Sequence, residues 1–197
     1  MIAQVRGQVA AVGATWVVVD VNGFGVRALC TPATAGAQRP GDATTLHTSL
    51  VVREDSLTLY GFAASDERDC FELLQTASGI GPRIALSVVS VMTPDDLRAA
   101  IGSENVRALT KVPGIGLKGA QRLVLELKDK IGQFAVVAQA GGDQSGWREQ
   151  VKSGLEGLGW SSKDAEAACD NVEPLAKADP PASIAVLMRA ALRSLAK

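Results

Sequence analysis

The sequence has no excess of charge of either sign. Its 20 Lys and Arg residues against 21 Asp and Glu give a formal net charge of -1 over 197 residues. The whole-molecule field therefore does not draw it to nucleic acid, and any binding to an anionic polymer must rest on local charge. Histidine is nearly absent. His47 stands alone in a strand-like segment, with no partner for a metal site or an acid–base pair, so its reading is structural. The three cysteines, Cys30, Cys70 and Cys169, form no CxxC pair, and their odd number leaves one unpaired in any monomeric disulfide scheme. They read as buried thiols of a cytoplasmic protein. No apolar run approaches the ~20 residues that a membrane span needs. Residues 1–12 alternate apolar with polar residues and include Arg6, unlike the apolar core of a secretory signal.

What is present is a globular composition, 47% hydrophobic and 21% charged. Residues 1–63 read as five short strands. Ile2, Val5, Val9 and Val12 mark the first. The run from Thr15 to Val21 is the second, and Asn22-Gly23 is a hairpin signal because both residues tolerate positive φ. Gly25 to Leu29 returns as the third strand. Pro32 to Asp42, with Gly36, Pro40 and Gly41, is loop-like. Ala43 to Val52 and Leu57 to Phe62 complete a set that suits a small closed barrel of the OB type, which periodicity alone does not separate from another small barrel. Residues 64–132 switch to short helices broken at Gly79-Ile80-Gly81-Pro82, Thr93-Pro94, Gly102 and Pro113-Gly114-Ile115-Gly116. Ser65 opens the first helix, and Thr93 and Ser103 are predicted N-caps. Residues 133–146 have the composition of a flexible linker. Residues 147–197 read as a three-helix module: Val151, Leu155 and Leu158 on one face, a helix capped by Ser161 or Ser162, and a stripe of Ile184, Leu187, Ala191, Leu192 and Leu195. The class is thus α+β and multidomain.

The helical region contains a repeat. Leu74, Gly79, Ile80, Gly81, Ala85 and Val89 match Leu109, Gly114, Ile115, Gly116, Ala120 and Val124 at a constant offset of 35, and Arg83 matches Lys118. Each copy reads helix, Gly-Ile-Gly turn, helix. The first glycine is suited to backbone geometry closed to other residues. The second removes a side chain where another backbone must approach, and the isoleucine plugs the gap between the helices. The second helix then starts with free N–H groups facing outward, a site for a phosphate. A basic residue in that first turn is unfavourable for the helix itself but helpful beside a bound anion. One such turn is weak evidence; two matched copies point to tandem helix-hairpin-helix DNA binding. The predicted phosphate ligands are Gly79, Ile80, Gly81 and Arg83 in one copy and Gly114, Ile115, Gly116, Lys118 and Arg122 in the other.

Local charge agrees. Arg107, Lys111, Lys118, Arg122, Lys128 and Lys130 face only Glu126 and Asp129, a net of +4 over residues 107–130. Gly114, Gly116 and Gly119 also spell a dinucleotide fingerprint, but they follow a helical segment and Pro113 rather than a strand, and no acid falls about 20 positions on. Ala120 and Gln121 stand where a phosphate-binding loop of an ATPase needs Lys and Ser or Thr. The chain is therefore expected to take no nucleotide cofactor and no metal, and to be no enzyme by itself. A DNA-processing enzyme that used the clamps to grip its substrate would need a catalytic Asp or Lys in a base pocket, and no such site is evident. A generic protein-interaction module would leave both Gly-Ile-Gly turns unexplained.

Glu54 and Asp55 lie between two strand candidates and, by themselves, read as an ordinary polar turn. The run Val51-Val52-Arg53-Glu54-Asp55, followed by Leu59-Tyr60-Gly61-Phe62 and the two Gly-Ile-Gly copies, resembles the RuvA family over essentially the whole chain. Met1-Ile2 and Arg6-Gly7 fit as well. The resemblance implies an OB-like barrel, a tandem helix-hairpin-helix domain, a variable linker and a small UBA-like C-terminal domain. It implies a homotetramer, alone or stacked as an octamer, that holds a four-way DNA junction open and square. It also implies that 147–197 engages the RuvB ATPase, which would use the ATP and Mg, with the RuvC resolvase as a further partner. On the same basis Glu54 and Asp55 become an acidic pin. Carboxylates repel phosphates by roughly 1–3 kcal/mol per close pair, while base stacking is worth on the order of 1.4 kcal/mol per step. Fourfold symmetry would put eight carboxylates at the centre. Ser78 departs from the proline at the equivalent point of the second copy, with little consequence expected.

Overall fold

The computed structural model describes residues 2–138, 146–177 and 183–195. Two compact units divide between Phe134 and Ala135.

The first unit opens with a closed barrel in the order β1-β2-β3-β5-β4. Its strands are β1 (Gln4–Val12), β2 (Trp16–Val21), β3 (Phe24–Cys30), β4 (Ala43–Val52) and β5 (Leu57–Phe62). All pairings are antiparallel except β3 with β5. The β-branched alternation sends Val5, Val9, Val17 and Val19 inward with Ala28, Cys30, Leu46 and Leu59. Asn22 (φ 52°) and Gly23 (φ 91°) make the β2–β3 turn, and the Asp20 carboxylate accepts from the Gly23 N–H at 2.6 Å. The stretch read as a loop contains a short helix, α1 (Pro32–Gly36). Thr31 accepts from the Thr34 N–H at 3.1 Å and Pro32 sits at the first helical position, a start signal that the later Gly36, Pro40 and Gly41 obscured.

Five helices follow: α2 (Ser65–Gln75), α3 (Pro82–Val91), α4 (Pro94–Gly102), α5 (Val106–Leu109) and α6 (Leu117–Ala138), the last running past the division at Phe134. Ser65 is the first helical residue rather than the cap, which is Ala64; the Glu67 carboxylate instead accepts from the Ala63 N–H at 3.2 Å. Thr93 caps α4 in a reciprocal pair with Asp96. Ser103 ends α4 rather than starting a helix. Glu104, at φ 55°, reverses the chain, so the donors that need a cap arise later and Asn105 serves them. A single buried cluster runs from Tyr60 and Phe62 through Phe71 and Leu74 to Leu123 and Leu127. It crosses the expected division at 63/64. Phe71 stacks obliquely on Tyr60 and Phe62, with ring centroids 4.8 and 5.0 Å away, so α2 is seated directly on β5. Helix α6 continues to Ala138, six residues into the segment 133–146 whose composition suggested a linker; residues 139–145 of that segment lie outside the described residues.

The second unit holds α7 (Trp147–Gly157), α8 (Ser162–Ala176) and α9 (Ile184–Leu195). Val151, Leu155, Ala165, Ala168, Cys169, Val172, Leu187 and Ala191 form its core. Ser161 caps α8. Leu158 does not share the face of Val151 and Leu155. It follows the end of α7 and is 63% exposed, because Gly159 at φ 97° turns the chain away there.

Candidate nucleic-acid interface

The two Gly-Ile-Gly copies have the same backbone skeleton. In the first, Ala77 N–H donates to Leu74, Ile80 N–H to Ala77 and Ala85 N–H to Gly81, at 3.1, 3.1 and 3.0 Å. In the second, 35 residues on, Val112 donates to Leu109, Ile115 to Val112 and Ala120 to Gly116, at 3.2, 3.1 and 2.9 Å. Gly79 and Gly114 sit at φ +82° and +90°, where a Cβ would be strained. Ile80 and Ile115 are buried in the common core.

The second glycine of each copy has a different role from close packing within the chain. A Cβ built on Gly81 or Gly116 meets nothing within 4 Å. The space above each helix start is open to an outside group. The N–H groups of Gly81, Arg83 and Ile84, and those of Gly116, Leu117, Lys118 and Gly119, find no acceptor among the described residues. Each end is therefore a set of unused donors at the positive pole of a helix, an arrangement that holds an anion.

The side-chain electrostatics favour the same occupant. Arg83, Lys118 and Arg122 are exposed and form no ion pair among the described residues. The neighbouring acids are engaged elsewhere. Arg98 holds Asp66 and, at 3.0 Å, Asp95; Arg68 holds Asp69 at 2.6 Å; the Asp96 carboxylate accepts from the N–H and hydroxyl of Thr93, the cap of α4; Glu104 pairs with Lys128. Lys128 is thereby spent inside the protein, and Lys130 donates to the Thr76 hydroxyl at 3.2 Å. Of the basic run only Lys128 is ion-paired among the described residues, so Lys118 and Arg122 keep their charge beside the hairpins.

The copies also interlock. The Arg122 guanidinium lies 3.9 Å from a Cβ built on Gly79, and Ile84 of α3 lies 3.7 Å from one built on Gly114. Arg122, predicted with the second copy, thus reaches the first. The Ser78 N–H donates to the Glu126 carboxylate at 2.8 Å. Sequence reasoning had counted Glu126 only as a charge opposing the basic run. The available signal was the mismatch of Ser78 with Pro113: one has an N–H to satisfy and the other has none.

Glu54 and Asp55 are both exposed at the β4–β5 tip. The tip is closed by the Arg53 N–H donating to the Ser56 carbonyl at 2.8 Å, and Asp55 accepts from the Ser56 hydroxyl at 3.2 Å. Neither acid forms an ion pair among the described residues. His47 lies in β4 opposite Gln4 and Phe62, and no group of His, Cys, Asp and Glu among the described residues could hold a metal. No helix among them is long and apolar enough to cross a membrane.

Comparison with known proteins decides the family. A relative from Cutibacterium acnes and one from Thermobifida fusca are each 54% identical with this chain, over the full length of both sequences. One from Streptomyces coelicolor is 49% identical over 99% of this chain and 98% of its own. The chain belongs to the RuvA family. Its residues 1–61 match the model of the RuvA N-terminal domain, 71–129 that of the SAM-like helix-hairpin-helix tandem and 146–196 that of the RuvA C-terminal domain. The three relatives carry the name Holliday junction branch migration complex subunit RuvA. The barrel, the tandem hairpins and the C-terminal helical unit follow the order of these RuvA domains.

Proposed function

We propose that this chain binds four-way DNA junctions as a homotetramer, keeps them open, and serves a partner ATPase that drives branch migration in recombination and repair. The observation that carries the reading is the pair of identical hairpin skeletons, each with open space over its second glycine and unpaired cations beside it. Such ends grip phosphates and ignore base sequence, as a protein that follows a moving junction requires. The names of the relatives support the junction as substrate. Glu54 and Asp55 act as the acidic pin at the centre, where the strands of an open junction turn away. Residues 147–197 engage the RuvB motor, which hydrolyses ATP with Mg as its cofactor; RuvC shares the junction, and the work is done in the cytoplasm. This chain is the non-catalytic DNA-binding subunit.

The direct test titrates the purified protein against a four-way junction and a linear duplex of equal length at one salt concentration. Tighter binding to the junction, with a protein mass equal to a multiple of four chains, is the expected result. Equal affinity for both DNAs would overturn the junction reading while leaving the clamps in place.

A further inference from the structure

We propose that Glu126 is a positioning residue for the phosphate site of the first hairpin, so that helix α6 of the second hairpin sets the geometry of both. The inference rests on the reading of the hairpins as phosphate clamps. Its starting point is an asymmetry in an otherwise faithful repeat. The second hairpin enters its turn through Pro113, which has no N–H to satisfy and whose ring fixes the backbone. The first hairpin enters through Ser78, whose backbone is freer and whose N–H needs an acceptor. The Glu126 carboxylate supplies one from 48 residues away, at 2.8 Å. The residue equivalent to Glu126 in the first repeat is Val91, which has no acceptor to offer. So the first hairpin is held from outside where the second is held by its own proline.

Two neighbours on α6 strengthen the case. Arg122, one turn before Glu126, brings its guanidinium beside Gly79; Lys130, one turn after, donates to the Thr76 hydroxyl at 3.2 Å. Residues 122, 126 and 130 lie on one stripe of the helix, and all three address residues 76–79. The stripe places a cation next to the turn and a carboxylate under it. The carboxylate fixes the Ala77–Ser78 peptide, one residue ahead of Gly79, and through it the directions of the Gly81 and Arg83 N–H groups. An acid so near a phosphate site would otherwise be a liability, since it repels the ligand. Its retention there makes sense if its hydrogen bond contributes more to the site than its charge removes.

That opposition of signs gives the test. Glu126→Gln removes the charge and keeps an oxygen acceptor for Ser78; Glu126→Ala removes both. In the full-length protein, binding to a four-way junction is measured across a salt series, with thermal unfolding measured alongside. The expected result is that Glu126→Gln binds at least as tightly as the parent, while Glu126→Ala binds roughly three- to tenfold more weakly. A double-mutant cycle then locates the effect. With the first hairpin blocked by Gly81→Val, Glu126→Ala should cost nothing further; with the second blocked by Gly116→Val, it should cost its full factor. Equal affinities for Glu126→Ala and Glu126→Gln would overturn the proposal, and so would an equal loss in both blocked backgrounds. If neither Gly81→Val nor Gly116→Val weakened binding, the clamp reading would fail with it. Loss in the glycine variants with silence at Glu126 would sink the positioning role alone.

Discussion

The two glycines of each hairpin should respond to substitution in opposite ways. At Gly79 and Gly114, φ values of +82° and +90° put an L side chain in the left-handed region, at a cost of about 1–2 kcal/mol. The Cβ itself would make only ordinary contacts, at 3.9 Å from Arg122 and 3.7 Å from Ile84, so the penalty is purely that of the backbone. Gly79→Ala or Gly114→Ala should lower Tm by roughly 3–8 °C for a protein of this size. At Gly81 the backbone is extended, at φ -85° and ψ 171°, as the residue before a proline prefers, and a Cβ there meets nothing. Gly81→Val loses about 0.5–1 kcal/mol of capping preference and recovers about 0.4–1 kcal/mol from the unfolded chain. Its Tm should stay within about 2 °C of the parent. The same holds for Gly116→Val, whose Cβ also enters open space. Yet the valine methyls fill the volume over the free N–H groups. Displacing a phosphate from one charge-assisted backbone hydrogen bond costs about 1.5–3 kcal/mol, or roughly 10- to 150-fold in affinity per hairpin. Calorimetry and a junction-binding titration on the four variants decide it. The reasoning is refuted if the valine variants bind normally, or if binding in all four falls in step with Tm.

Four other outcomes are expected. Lys118→Ala should weaken binding equally for all DNA sequences and reduce the slope of log K against log salt by ~0.9 for each phosphate that the lysine no longer neutralises; a sequence-selective loss would contradict recognition of the DNA backbone alone. Deleting 147–197 should leave tetramerisation and junction binding intact but abolish motor-driven branch migration, because the core of the second unit is its own; a truncated protein that no longer bound junctions would refute this division. Burial pushes the Cys30 and Cys70 thiols up to about 11. Both stay neutral in the fold but ionise near their ordinary values once unfolded, so stability should fall as pH rises from about 9 to 11, a loss that Cys→Ala at both positions should reduce in an alkaline unfolding series, with burial of Cys169 and Tyr60 leaving a remainder of the same sign. Finally, Glu54→Gln with Asp55→Asn should raise affinity for linear duplex more than for the junction, since a continuous duplex would press phosphates onto the tip; an unchanged ratio would sink the pin.

The strands were legible because β-branched alternation and Asn22-Gly23 speak in short, local terms; β4 and β5 begin and end where the pattern places them. The hairpin repeat was legible because glycine at positive φ leaves its own mark. Helix α1 was hidden by Gly36 at its last position and by Pro40 and Gly41 beyond it, none of which interrupts it. Ser103 was misread because a serine before helical residues looks like a cap until the reversal at Glu104 is known. Leu158 fits the helical period of α7 but stands just past the turn at which periodicity stops carrying meaning. What no pattern could show is long-range pairing. The hydrogen bond of Ser78 to Glu126, the reach of Arg122 to Gly79 and the capture of Lys128 by Glu104 join residues far apart in sequence, and only the packed core sets which of these side chains meet.

Those pairings also explain how a chain of net charge -1 presents a cationic face. Residues 64–106 contain seven acids against three bases, and 107–130 contain six bases against two acids, so by sequence the helical region is neutral. By structure it is not neutral everywhere. All of the acids of 64–106 except Glu72 are spent on Arg98, Arg68, Lys128 and helix starts, where they stabilise the fold. Arg83, Lys118 and Arg122 keep their charge for an outside partner. A uniformly basic protein would be attracted to any DNA from a distance of about a Debye length, roughly 8 Å at physiological salt. Here a net charge of -1 supplies no such long-range pull, and on the proposed function attraction would rest on phosphates within reach of a helix start. Affinity then depends on how many such points one DNA can satisfy at once. On the proposed function, a ligand that offers phosphates in several directions would outcompete one that offers a single line, and the exposed acids Glu54 and Asp55 would oppose the single line further.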